Sequence, residues 1–100
     1  MEAYKGFKST KDLSLHFKNS WTIKNKDKEL LSFDNHETLF ATAFVKDNLF
    51  FMSSNGSYYT FFNVKSDGSI KKTNVSDPYS YVGICEDTAI YRHKDKYLLA

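Results

Sequence analysis

One hundred residues carrying 14 basic and 12 acidic side chains, a formal charge of +2, give no charge-based reason for a polyanionic partner and exclude an acidic DNA mimic. The chain is too short for two independent cores. Hydrophobic content of 41% with 26% charged residues is that of a globular chain rather than a disordered tail, and 17 aromatic residues supply core enough for one domain spanning residues 1–100. Cys85 is the lone cysteine, so no intrachain disulfide forms and a reducing compartment, the cytoplasm, is expected. The start Met1-Glu2-Ala3-Tyr4-Lys5 lacks an apolar signal core, and no run approaches the roughly 18 apolar residues of a membrane span. Thirteen of the 14 basic residues are Lys and only Arg92 is Arg, while Asn, Phe and Tyr abound; this is the codon supply of an AT-rich genome, such as a low-GC bacterium, its phage or an AT-rich eukaryote.

Ser9-Thr10-Lys11-Asp12 has the form of a helix start, a hydroxyl followed by an acid at the positive helix end. Leu13 and Phe17 follow at i, i+4, which predicts a short helix over about residues 10 to 18 with both side chains toward the core. From Trp21 onward the pattern changes to β-branched and aromatic runs broken by Asn, Asp, Gly and Lys, the signature of an antiparallel meander. Trp21 to Lys24 and Leu30 to Phe33 flank the turn Asn25-Lys26-Asp27-Lys28. Leu39 to Val45 pairs with Leu49 to Ser53 around Lys46-Asp47-Asn48. Asn55-Gly56 predicts a type I′ turn into Ser57 to Val64, because both residues tolerate positive φ. Ser66-Asp67-Gly68-Ser69, with Gly68 left-handed, leads into Ile70 to Val75. Tyr81 to Cys85, Thr88 to Arg92 and Tyr97 to Leu99 complete about nine short strands. A propeller blade of about 40 to 45 residues would fit barely twice, too few to close a ring, and no long self-similarity is present.

Between Leu39 and Val64 the alternation of a half-wet sheet fails. Leu39, Ala41, Ala43 and Val45 read as one face and Phe40 and Phe44 as the other; Tyr59 and Phe61 oppose Tyr58, Phe62 and Val64. The second face is therefore covered, first by the chain itself, or else by a partner or a second copy. One ten-residue helix is too small to cover several strands.

The expected fold is mainly β, of α+β type: an antiparallel β-meander with one short amino-terminal helix, and Trp21, Leu39, Phe44, Phe51, Phe61 and Ile84 in its core. Catalytic and metal-binding spacings are missing: His16, His36 and His93 stand apart, His36-Glu37 is adjacent rather than at i, i+4, and the four glycines are scattered. No cofactor and no metal are expected. The leading functional expectation is a small non-enzymatic protein-interaction module, an inhibitor or accessory protein of a phage or bacterium, with Tyr58, Tyr59, Phe62, Tyr79 and Tyr81 as contacts and self-association as a variant. An alternative is a nucleic-acid-binding β domain in which strand aromatics stack on bases and Lys46, Lys65, Lys71 and Lys72 take phosphates, though Arg, the better phosphate cation, is nearly absent. A second alternative is a small ribonuclease-like or Cys85-dependent enzyme using His36 or His93. The ending Tyr97-Leu98-Leu99-Ala100 reads as an edge strand open to pairing.

Overall fold

The structure is a computed structural model that describes residues 7–8 and 13–100. Its strands are β1 (Phe7–Lys8), β2 (Leu13–Lys18), β3 (Ser20–Asn25), β4 (Lys28–Ser32), β5 (Thr38–Val45), β6 (Asn48–Ser54), β7 (Tyr59–Lys65), β8 (Ile70–Val75), β9 (Ser80–Cys85), β10 (Thr88–His93) and β11 (Lys96–Leu99). They form three antiparallel sheets in chain order: a first of β1 to β4, a second of β5 to β8, and a third of β9 to β11. The mainly β, antiparallel expectation holds.

The expected helix does not form where it can be judged. Residues 13–18 are strand β2, and the helix start at 9–12 lies outside the described residues. Positions i and i+4 share a face in both a helix and a strand, so Leu13 and Phe17 fit either period; Leu15 decides, because only a strand places i+2 on the same face. Leu13 and Leu15 are both buried, and Leu15 pairs with Ile23 of β3.

Four hairpins turn on two residues each: Lys26-Asp27, Lys46-Asp47, Glu86-Asp87 and Lys94-Asp95. In every one the first turn residue is left-handed, with φ from 55° to 57°. A side chain there costs about 1–2 kcal/mol, tolerated because positive φ matches the turn to the right-handed strand twist. This short recurrence of a charged residue and Asp is the self-similarity that a search for long repeats passes over. Gly68 is left-handed as expected, at φ 97°. Asn55-Gly56 instead belongs to a four-residue loop between paired Ser54 and Tyr59, with only Gly56 at positive φ. There the Asn55 Oδ1 accepts the backbone N–H of Ser57 at 2.9 Å, and this side-chain capture replaces the expected type I′ geometry.

The second sheet lies between the other two, which explains the failed alternation. One face carries Leu39, Leu49, Phe51, Phe62 and Val64 into a core shared with Leu13, Leu15, Ile23 and Phe33. The opposite face carries Ala43, Val45, Phe50, Met52 and Phe61 into a core with Ala89 and Tyr91 of the third sheet. An irregularity between Phe40 and Ala43, with Ala41 at φ 57°, shifts the alternation inside β5. Leu39 and Phe44 consequently share a face, and Phe40, Ala43 and Val45 share the other, unlike the unbroken alternation expected from sequence. The Ala41 carbonyl freed at this bulge accepts the Tyr91 hydroxyl at 2.6 Å.

Equivalent turns meet across the stack. Asn25, in the β3–β4 hairpin, donates to the Ser66 carbonyl of the β7–β8 turn, and Lys46 of the β5–β6 turn pairs with Asp87 of the β9–β10 turn at 3.0 Å. The sheets therefore stack in the same order and orientation, as neighbouring propeller blades do. Three such units fit because the outer sheets are short, spanning residues 7–32 and 80–99 beside 38–75. Of the expected core, Leu39, Phe51 and Phe61 are buried, and Trp21 and Phe44 are partly buried against the first core. Ile84 is not core: it lies on β9, an edge of the third sheet, and is 48% exposed.

Candidate interaction face

The exposed large apolar side chains are unevenly distributed. Tyr58 and Ile70 lie on the second sheet or its loops, whereas Tyr81, Val82, Ile84, Tyr97 and Leu99 all belong to the third. The pairing explains how they get there. An irregularity opposite Ile90 and Tyr91 leaves Val82 as the extra residue of β9, pushed out of the ladder and 58% exposed. On the face turned away from the second sheet, Gly83, Ile90 and Leu99 line up across all three strands, with Cys85, Arg92 and Tyr97 beside them. Arg92 stands over the Tyr97 ring at 5.8 Å and donates through Nε to the Lys94 carbonyl at 2.6 Å, which holds the guanidinium on this face.

Among the described residues, no strand pairs with the outer edge of the sheet at β11. Ala89 and Ala100 exchange both backbone hydrogen bonds at 2.9 Å, so by alternation Leu98 and Lys96 also bond to β10. Tyr97 and Leu99 are the intervening residues, and their N–H and C=O groups point away from β10 toward the open side. Beside this edge, between the second and third sheets, is a groove of about 370 Å³. Its floor is the outer part of the second sheet, Asn63, Lys65, Lys71 and Thr73, and its wall is Leu98, Leu99 and Ala100.

The residues expected as contacts are dispersed. Tyr58 is exposed in its loop, while Tyr59 is half-buried edge-on to Phe40 at 6.4 Å. Phe62 is buried on the face toward the first sheet, stacked on Phe51 at 4.8 Å. Tyr79 lies in the β8–β9 connection near the His93 ring, and Tyr81 is 5.7 Å from the Tyr91 ring at the border of the third sheet. Only Tyr79 and Tyr81 thus belong to the third-sheet region. Among the lysines, Lys65 and Lys71 line the groove together, Lys46 is engaged by Asp87, and Lys72 projects from the opposite face beside Glu37 and Tyr58. Of the strand aromatics that base stacking would need, Phe61 and Phe62 are buried on opposite faces.

Sequence reasoning read the ending Tyr97 to Ala100 as an edge strand, which β11 is, but did not single out Val82, Ile84, Ile90, Tyr97 and Leu99 as surface contacts. The signal was present in Tyr81-Val82-Gly83-Ile84-Cys85 and Tyr97-Leu98-Leu99, where apolar residues occupy both strand faces in the same way as in the second sheet. There the two faces are both covered; here one is not.

The chemically versatile side chains do not converge. Cys85 is exposed at one end of the third sheet and His93 stands at the other, roughly 17 Å away along the strand. His36 lies in the β4–β5 connection. Among the described residues no group of three His, Cys, Asp or Glu side chains is placed to hold a metal, and no helix is long and apolar enough to cross a membrane. His93 does pair with Asp77, Nε2 to Oδ1 at 3.6 Å, and Lys96 bonds the other oxygen of that carboxylate. The Lys96 hydrogen bond holds the Asp77 carboxyl below its ordinary value, and the same bond raises the Lys96 ammonium. With the His93 Nδ1 3.2 Å from the Pro78 carbonyl, this cluster ties the β8–β9 connection to the third sheet. Burial, with a smaller contribution from Tyr81, pushes the Tyr91 hydroxyl well above its usual range, so it stays a neutral donor to Ala41.

No family model, curated protein or solved structure matches the chain.

Proposed function

We propose that the chain is a protein-binding module that acts by occupying a partner's surface, in the manner of an inhibitor or accessory protein, and that the third sheet is its binding face. The observation that carries this is the concentration, among the described residues, of exposed apolar side chains on that one sheet, Tyr97 and Leu99 on its outward face, Val82 at the β9 bulge and Ile84 at the β9 edge, whereas the apolar side chains of the second sheet lie in cores on both of its faces. Scattered apolar residues are ordinary on any surface, but Ile90, Leu99 and Tyr97 adjoin on the outward face beside the Arg92–Tyr97 pair, and that grouping is the composition of a binding patch. The cytoplasm remains the compartment we assign, since the lone thiol of Cys85 is exposed.

The test is capture of the partner from an extract of the source cell with the wild-type chain and with Val82→Asp and Leu99→Asp. Both positions are exposed, so both variants keep the wild-type unfolding midpoint, and both lose the partner. Unchanged capture by the two variants contradicts the assignment. Capture that falls steeply with salt would point to a polyanion, because counterion release dominates such binding, whereas an apolar contact is insensitive to salt.

A further inference from the structure

We infer that the open edge at β11 accepts an additional strand from the partner, and that this strand is an extended segment alternating acidic and apolar residues. The inference rests on the protein-binding reading above and deepens it. Three features of the same place carry it: unpaired backbone, a groove beside it, and charge. Tyr97 and Leu99 offer two N–H and two C=O groups in the plane of the sheet, the template for strand addition. A strand laid there sends alternate side chains to opposite faces. One set enters the groove over Asn63, Lys65, Lys71 and Thr73. The carboxylate that also lines this groove, Asp87, is engaged by Lys46 at 3.0 Å, while the ion pairs among the described residues involve neither Lys65 nor Lys71. Lys65 has Asp67 as a more distant electrostatic neighbour. The groove is therefore complementary to acidic side chains. The other set lies beside Tyr97 and Leu99, 60% and 66% exposed, and gains most by being apolar.

The first and second sheets show what such a strand does. In the first sheet β4 brings Leu30 and Leu31 onto the outer part of the second sheet and completes that core; the added strand would take the equivalent place on the opposite face. A second copy of the chain is the poorer occupant, because an antiparallel β11 offers no carboxylate to Lys65 and Lys71: the side chains it would send into the groove are Lys96, Leu98 and Ala100.

The experiment is a titration of the isotope-labelled full chain with capped eight-residue peptides, followed through backbone amide resonances and their hydrogen exchange. One peptide alternates Glu and Val; the control alternates Lys and Val. The acidic peptide is expected to shift and protect the Tyr97 and Leu99 amides and to bind roughly tenfold more tightly than the control. Lys71→Glu is expected to reverse that preference. Leu99→Pro removes only an outward donor, so it is expected to keep the β10–β11 ladder and weaken the peptide. N-methylation of the peptide at the residues facing β11 tests the same bond without altering the protein. Equal binding of the two peptides, perturbation away from β11, indifference to N-methylation, or Tyr97 and Leu99 amides already protected in a β11-mediated dimer would each overturn the inference. Partner capture lost in Val82→Asp without any peptide effect would overturn strand addition and leave the binding-module reading standing.

Discussion

The two faces of the second sheet are covered by different means. Toward the first sheet the core is built from large side chains: Phe33 stands edge-on to Phe51 and Phe62 at 5.8 and 5.4 Å, those two rings stack at 4.8 Å, and Leu30 and Leu31 carry the apolar cover out to the fourth strand. Toward the third sheet the core also holds three buried rings, Phe50, Phe61 and Tyr91, with Met52, but it adds two alanines, Ala43 and Ala89, a hydroxyl bonded to a bulge carbonyl, and a groove where the first sheet has β4. The difference separates a stabilising interface from one that is partly reserved. Buried rings contribute most per residue on both faces, while the alanines and the polar anchor on the second fix position with less free energy.

That contrast can be broken at its strongest point. Phe51→Ala removes a fully buried ring from the larger core and is expected to cost about 3–5 kcal/mol in denaturant unfolding, enough to leave a 100-residue domain of ordinary stability marginal. Tyr91→Phe removes only the hydroxyl from the core toward the third sheet. It leaves the Ala41 carbonyl without that donor and is expected to cost about 1–2 kcal/mol, lowering the melting temperature by roughly 4–16 °C. A Tyr91→Phe loss as large as that of Phe51→Ala would erase the distinction between the two interfaces.

Smaller effects sharpen the comparison at the margin of the third sheet. Asp77 is held below its ordinary value of 3.8 by the Lys96 hydrogen bond, so its ionised form favours the folded state. Its contribution is whole above the ordinary carboxylate value and is lost as pH falls through the lowered one. Asp77→Asn should therefore be slightly less stable than wild type at pH 7, with the gap closing in melts as pH falls through the lowered carboxyl value. Lys71→Ala is expected to change stability by no more than about 0.5 kcal/mol, because Lys71 is exposed and packs no core. A larger loss would mean that the groove is structural cover after all.

Much of the β architecture was legible because turn chemistry is local. The hairpins at Lys26-Asp27 and Lys46-Asp47 and the left-handed Gly68 follow from residues adjacent in sequence. The doubly apolar stretch from Leu39 to Val64 also announced a sheet covered on both faces, although not by what. Strand β2 was misread as helix because Leu13 and Phe17 satisfy both periods, and the face assignment in β5 failed at Ala41 because a bulge depends on the partner strand. The candidate face was the least legible part. Aromatic content pointed to Tyr58, Tyr59 and Phe62, but exposure depends on tertiary cover: the second sheet buries its apolar residues between neighbours, and the third carries apolar residues on a face that no described element covers.

The open edge of the third sheet is the central claim, and amide hydrogen exchange on the free chain at a concentration where it is monomeric tests it most directly. The account predicts protected amides at Lys96 and Leu98, which bond to β10, and rapid exchange at Tyr97 and Leu99, which face outward. Protection at all four would show that the edge is already paired and would contradict it.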